Sequence, residues 1–450
     1  MNSTTAVTAA SPPTRSIRWA LASLSLSMLL SSLGTSIANV GLPTLAQVFD
    51  ASFQQVQWVV LAYLLAITTL IVSVGRLGDL AGRRRLLLSG IGLFTVASAL
   101  CGLAPSLELL IGARTLQGLG AAIMMALTLA FVGETVPKDR TGSAMGLLGT
   151  LSAIGTAMGP SLGGLLIGEF GWRGIFLITV PLGLLTLLLA QRYLPADQQQ
   201  AKNTQVAFDS VGTLLLALTL AAYALAMTLG RGQFGVLNLA LILLAGVGAW
   251  VFVRVEQRVT EPLVRLAMFH DRQLTTRLIM SLLVATVMMG TLVVGPFYLS
   301  QALGLGAVEA GLVLSVGPLV AALTGVPAGR IADRFGARRM TLAGLLVIAL
   351  GCLLLAVLPI SFGVVDYIVP MVVITLGYAV FQTANNTLVM ADVQAQQRGV
   401  VSGMLNLSRN LGLITGASAL GAVFAAAGMR VTFVVALALI ALACRCARRH

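Results

Sequence analysis

The stretch Gly75–Leu87 reads GRLGDLAGRRRLL, and Gly329–Met340 reads GRIADRFGARRM. The two share Gly, Arg, Asp, Gly, Arg and Arg at the same offsets, and each lies between two long apolar runs, so the chain contains an internal repeat. Each copy is a short loop that must turn sharply while holding charges beside apolar segments. Gly75 and Gly82 suit the turn, because glycine accepts backbone angles closed to other residues. Asp79 stands just before the next apolar run, where the positive end of a helix dipole favours a carboxylate. Arg83, Arg84 and Arg85 stand at the same helix start against that dipole, so anionic lipid, topology or a partner carboxylate must account for them. In the second copy Gly329, Asp333, Gly336 and Arg338 take the places of Gly75, Asp79, Gly82 and Arg84.

Working outward from the loops, 58% of the 450 residues are hydrophobic, 10% are charged and the mean hydropathy is +0.96. Such a chain is a polytopic membrane protein. The formal net charge of +13 does not point to nucleic acid, because the basic residues fall in short clusters between apolar runs and no basic-aromatic module is present. Cys101, Cys352, Cys444 and Cys446 form no disulfide framework. No GxxxxGK[ST] phosphate loop occurs, and neither His270 nor His450 lies in an apolar run. The chain therefore reads as no enzyme, with no cofactor and no metal.

Residues 1–16 are small, polar and proline-containing, a disordered tail. Apolar runs of the length a helix needs to cross a bilayer then follow at about 19–40, 56–75, 86–104, 107–132, 142–167, 173–191, 210–229, 236–253, 276–299, 307–328, 340–359, 365–390, 400–425 and 429–444. Fourteen spans with a cytoplasmic N-terminus put 23 of the 28 Lys and Arg on the inner side and only Arg173, Arg231 and Arg430 outside, as the positive-inside rule asks. Both termini are then cytoplasmic. Each loop copy follows the second span of a six-span half. The expected organisation is a half at 17–195, a linker with two extra spans at 196–275, and a second half at 276–450. Parallel halves with the solute site between them are a known transporter plan.

Four stretches carry a family resemblance. Gly75–Leu86 resembles the signature loop between the second and third helices of the major facilitator superfamily, LIGARTLQGLGAA (Leu110–Ala122) its fourth-helix motif, and GTAMGPSLGG (Gly155–Gly164) the fifth-helix motif associated with antiporters. QWVVLAYLL (Gln57–Leu65) resembles the second helix of the fourteen-span drug:proton antiporter branch. The resemblance covers practically the whole chain. It implies an all-α fold of two six-helix halves with two extra helices between them, working as a monomer in the cell membrane on a small-molecule substrate, with protons as the coupling partner.

The same residues have physical readings. Gly155, Gly159, Gly163 and Gly164 leave a helix face without side chains for close packing, and Pro160 adds a kink, so a gating hinge and plain tight packing both fit. Arg114 is a charge inside an apolar run, with Gln117 one turn on; such a charge faces a watery cavity or a partner, or snorkels to the interface. Tyr378, Gln382, Asn385 and Asn386 form with Thr375 a polar stripe at helical spacing, with Asn406 and Arg409 a patch one span later. Thr35, Asn39 and Tyr63 are further cavity or packing groups. In LGTSIANVGLP (Leu33–Pro43) the sequence departs from the branch, which usually has an acidic residue where Gly34 stands. No Asp or Glu lies centrally in any span, leaving Glu134, Asp79, Asp209 or Asp333 as proton carriers. With Arg114 in the cavity, a cation some 8 Å away would be opposed by roughly 2 kcal/mol at an effective dielectric of 20. Neutral or anionic solutes are therefore expected, with Gly34→Asp shifting preference toward cations once its carboxylate reaches the cavity.

The reading is a secondary active exporter of small amphipathic molecules. An exporter or facilitator of a neutral or anionic metabolite is the alternative, and a non-transporting receptor stays open.

Overall fold

The computed structural model describes residues 14–135, 141–195, 209–229, 235–259, 262, 271–357, 363–391 and 398–449. Residues 1–13 of the expected tail and parts of the linker at 196–275 lie outside them, while residues 14–16, read from the sequence as tail, already belong to the first helix. Within helices, the side chains of Gly75, Arg76, Asp79, Glu134, Gly329 and Asp333 also lie outside the described set.

The described residues are helical almost throughout. In order they form α1 (Thr14–Val48), α2 (Phe53–Ala81), α3 (Arg83–Leu103), α4 (Leu107–Thr135), α5 (Thr141–Phe170), α6 (Gly174–Leu177), α7 (Thr179–Tyr193), α8 (Ser210–Thr228) and α9 (Val236–Glu256). Then come α10 (Arg272–Gln301), α11 (Ala307–Phe335), α12 (Ala337–Val357), α13 (Val365–Ala391), α14 (Arg398–Thr415) and α15 (Gly421–Arg449), with a π-helical turn, Gly416–Leu420, before α15. Lipid leaves backbone polar groups no partner outside the chain, so apolar spans must satisfy them internally as helices.

Eleven segments among the described residues are long and apolar enough to cross a membrane. The expected count of fourteen differs at three places. The run at 142–167 is α5, parts of which lie outside the described set. The run at 307–328 yields only the shorter apolar helix Ala307–Ala321. The last two runs count as one continuous segment, Met404–Arg448, although the backbone leaves the helical region inside it at Gly428 (φ 75°, ψ −175°).

The repeat is visible in the backbone. Gly82, between α2 and α3, has φ 90°, and Gly336, between α11 and α12, has φ 87°. Both angles lie in the region that favours glycine, and each loop turns on that single residue. The following helices pack alike. A Cβ on Gly120 would stand 2.6 Å from the Phe94 amide nitrogen and 2.8 Å from the Gly90 carbonyl oxygen, and one on Gly344 at the same distances from Phe381 and Gly377. Backbones therefore meet directly at α3–α4 and at α12–α13, as membrane helices do where small residues permit it.

We call the end of the bundle where α1 begins the near end and that of the α1–α2 turn the far end. At the near end Trp19 stacks on Tyr193 at 5.9 Å, and Arg84 donates to the Gln191 carbonyl. Helix α8 lies along α2, held by a Ser73–Thr213 hydroxyl pair at 2.8 Å and by Trp58 Nε1 donating to Thr228 Oγ1 at 3.0 Å. Helix α9 packs on α8, with Asn238 donating to the Ala226 and Leu229 carbonyls, and its apolar side chains are otherwise largely exposed.

Candidate functional site

How the first and second runs of helices meet differs between the two ends. Toward the far end, one cluster of buried apolar side chains runs from Leu33, Ile37 and Val60 through Val287 and Phe297 to Phe381 and Ala417. Toward the near end, where parts of α2, α4, α5, α11, α13 and α14 lie outside the described side chains, two further clusters of described residues are each confined to one run of helices. Leu24, Tyr63, Phe94 and Phe131 belong to a cluster confined to α1–α7, and Leu274, Leu278, Val389, Val401 and Met404 to one confined to α10–α14.

The far-end junction rests on specific contacts. Gln57 Nε2 donates to the Ala417 carbonyl at 2.9 Å, within the π-helical turn. Phe53 meets Phe297 edge-on at 4.5 Å and Phe424 at 5.3 Å. Helices α5 and α11 touch backbone to backbone: a Cβ on Gly311 would lie 2.6 Å from the Pro160 carbonyl oxygen and 2.9 Å from Gly164 Cα.

The α5 glycines thus divide their work. Gly155, Gly159 and Gly163 face Leu29, Ser32, Ser36, Ile37 and Val40 of α1, whereas Gly164 faces Ala307 and Gly311 of α11. The α1–α5 seam is reinforced by the Ser32–Ser152 hydroxyl pair at 2.6 Å. Pro160 is buried in the same helix.

Arg114 is fully buried. Its Nε donates to the Val59 carbonyl of α2 at 2.9 Å, Nη2 to the Gly34 carbonyl of α1 at 3.0 Å, and Nη1 to Gln117 Oε1 at 2.5 Å. The guanidinium lies 4.1 Å over the Tyr63 ring, whose hydroxyl donates to the Ser31 carbonyl at 2.8 Å. Gln117 passes the chain of bonds to Ser98 on α3 at 2.7 Å. The sequence anticipates a buried charge with Gln117 beside it. The structure encloses both in a clamp across α1, α2, α3 and α4, and the donor fork of arginine suits three acceptors on separate elements. A Cβ on Gly34 would stand 2.8 Å from the Tyr63 hydroxyl. An acid at position 34 would therefore meet Tyr63 and the Arg114 guanidinium before any cavity.

On the other side, Thr375 donates to the Met371 carbonyl of its own helix, and buried Asn385 donates to the Arg277 carbonyl of α10 at 3.5 Å. Tyr378, Gln382 and Asn386 are half-buried and have no hydrogen-bond partner among the described residues. They recur every fourth position on one side of α13, away from exposed Leu376 and Thr387, with Tyr378 packed against the apolar core. Asn406 is half-buried and Arg409 exposed on α14. On α1, Thr35 is half-buried and bonds to the Ser31 carbonyl, while Asn39 is buried and bonds to the Thr35 and Ser36 carbonyls. Arg83 and Arg84 are half-buried at the start of α3, and Arg338 is exposed at the start of α12.

Sequence reasoning did not single out Phe53, Gln57, Phe297, Gly311 or Phe424 for this junction. The only prior signal was Gly311 itself, a small residue early in an apolar run.

The Major Facilitator Superfamily profile matches residues 24–417. The chain is 32% identical over 399 residues to the riboflavin transporter RibZ of Clostridioides difficile, covering 88% of this chain and 86% of that one. It is 32% identical over 418 residues to the multidrug efflux pump LfrA of Mycolicibacterium smegmatis, covering 92% and 82%. The solved structure of a D-xylose-proton symporter superposes with a TM-score of 0.70 at 15% identity, over 95% of this chain and 96% of that one. By sequence and by fold the chain belongs to the major facilitator superfamily, and it is a multi-pass membrane transporter, not an enzyme.

Proposed function

We propose that this transporter is a fourteen-span, proton-coupled exporter of small amphipathic molecules in a bacterial cell membrane, working as a monomer by rocking a half at 17–195 against a half at 276–450. The observation that carries the proposal is the apolar core, joined across the halves at the far end and, among the described residues, divided at the near end. In this reading the near end, with both termini, is cytoplasmic, and the structure is the inward-open member of an alternating pair. The division of Lys and Arg supports that orientation. The break at Gly428 supports counting α14 with the first limb of α15, and the remainder of α15, as separate spans.

The solute binds against Tyr378, Gln382 and Asn386, with Thr35, Asn406 and Arg409 nearby and Arg114, Gln117, Tyr63 and Asn39 holding the opposing wall in shape. Asp79 and Asp333, in the last turns of α2 and α11 and not in a loop as the sequence suggests, hold the near ends together when the far end opens, with Arg76, Arg83, Arg84 and Arg338 as partners. Drug efflux by LfrA favours multidrug export; the name of RibZ favours the second reading, export or uptake of a neutral or anionic metabolite. Flux into everted vesicles over a compound panel, with and without a proton gradient, separates them. Robust, gradient-dependent ethidium export would refute the expected preference for neutral and anionic solutes. Flux that ignores the gradient would remove proton coupling.

A further inference from the structure

A cavity of about 790 Å³ lies at the far end, just beyond the junction of the halves. Its walls include Phe53 and Gln54 from α2, Phe297 and Tyr298 from α10, and Phe424 and Arg430 from α15. Its volume falls in the range of small-molecule sites, and its make-up, apolar walls with a few convergent polar groups, is theirs too. The rings of Phe53, Phe297 and Phe424 meet edge-on or tilted, which leaves ring faces for a flat guest. Gln54 and Tyr298 are each only 8% exposed, and neither has a hydrogen-bond partner among the described residues. Tyr298 is stacked on Tyr367 at 5.8 Å, which fixes the direction of its hydroxyl. The polar atoms of Gln54 and Tyr298 therefore open onto the cavity, where a guest can bond them. Asp366 also lines the cavity and offsets the charge of Arg430, so no net charge selects an ion.

We infer that this cavity binds an uncharged, flat heteroaromatic molecule of two or three fused rings. The rings stack among the three phenylalanines, while an edge donor and acceptor bond Gln54 and Tyr298. Phe53 and Gln54 come from the first half and the other walls from the second. An occupant therefore touches both halves only while the far end is closed and selects that state. Inhibition of flux by this site rests on the proposed alternating-access export; binding does not.

The test uses the purified full-length protein in nanodiscs and the neutral fluorescent tricycle 2-aminoacridone, read by anisotropy. Saturable binding is expected. Tyr298→Phe and Gln54→Leu should each weaken it by about fivefold, the scale of one neutral hydrogen bond. Ala427→Trp, which fills the cavity from an exposed position, should abolish it. Gly311→Ala, which obstructs closure of the far end, should weaken binding although it lies outside the cavity. Absence of saturation, or a Kd unchanged in the first three variants, would overturn the site. Binding weakened or lost as expected in the first three but unchanged in Gly311→Ala would overturn its preference for the closed state. A chain that exports nothing would still give these binding readings, so failure of the exporter reading is separately visible.

Discussion

Gly311→Ala is the smallest change that asks whether the far end closes by backbone contact between α5 and α11. The added Cβ would lie 2.6 Å from the Pro160 carbonyl oxygen, where ordinary contact begins at 3.4 Å, and the obstacles are backbone atoms that no rotamer change can move. The helices must part by about 0.8 Å along a close-packed seam. Overpacking of this kind costs about 1–3 kcal/mol. The state open at the far end carries none of that cost, so the equilibrium should shift toward it by roughly 5- to 150-fold. Spin labels at Leu165 and Leu312, both exposed residues beside the contact, would report this by pulsed electron resonance as growth of a longer-distance population. Wild-type distances in the variant, with wild-type thermal stability, would show that α5 and α11 do not form the closing contact.

Arg114→Lys keeps the charge but can serve only part of the clamp; losing two charge-assisted hydrogen bonds should lower stability by about 3 kcal/mol or more, seen as earlier thermal unfolding, and an unshifted melt would mean that charge alone matters. Asp79→Asn should slow transport while leaving protein amount and substrate binding nearly intact, and a wild-type rate would reduce the duplicated loop to a topology signal. Single cysteines at Ser106, Gly232 or Gly363 should react with an impermeant thiol reagent from outside the cell, and ones at Ala81, Lys202 or Ala337 only after permeabilisation; the reverse pattern would end the fourteen-span orientation.

The parts legible in the sequence are those governed by local rules. Of the two glycines per copy that suit a turn, Gly82 and its counterpart Gly336 do turn the chain, with nearly the same positive φ, whereas Gly75 and Gly329 lie inside α2 and α11. Apolar run lengths forecast helices, because the bilayer permits little else. Gly428 interrupts α15 within the gap between the last two apolar runs. The direction in which a side chain is used was not legible. Whether Arg114 faces water or protein depends on where the Gly34 and Val59 carbonyls lie, and both belong to other helices. Gln57 finds its acceptor 360 residues away. A polar stripe such as Thr375 to Asn386 can be read at helical spacing, but its members part company in space: Asn385 turns to α10, while Tyr378, Gln382 and Asn386 stay unbonded.

The strengths of these seams bear on which of them can move. Lipid tails are as apolar as leucine, so membrane helices gain little by hiding apolar surface from each other, and close packing and hydrogen bonds decide the association. Within the first half, three glycines of α5 bring its backbone onto α1, and the Ser32–Ser152 pair and the bond from Ser36 to the Gly155 carbonyl tie that seam in its interior. The Arg114 clamp then joins α1, α2 and α4 through charge-assisted bonds shielded from water. Across the halves, the far-end junction combines the shared apolar cluster and the close approach of α5 to α11 with one amide bond from Gln57 and the Phe53 ring contacts. A neutral hydrogen bond is worth about 1 kcal/mol and an aromatic pair about 0.5–1.5 kcal/mol. Those polar and aromatic contacts come to a few kcal/mol, a range that differential binding of a solute can reverse, and among the described residues the α5–α11 approach carries no hydrogen bond like those that tie α1 to α5. Halves tied internally by hydrogen bonds and joined across the far end by bare backbone packing suit alternating access, and the closeness of that packing is why a single methyl group at Gly311 should be enough to bias it.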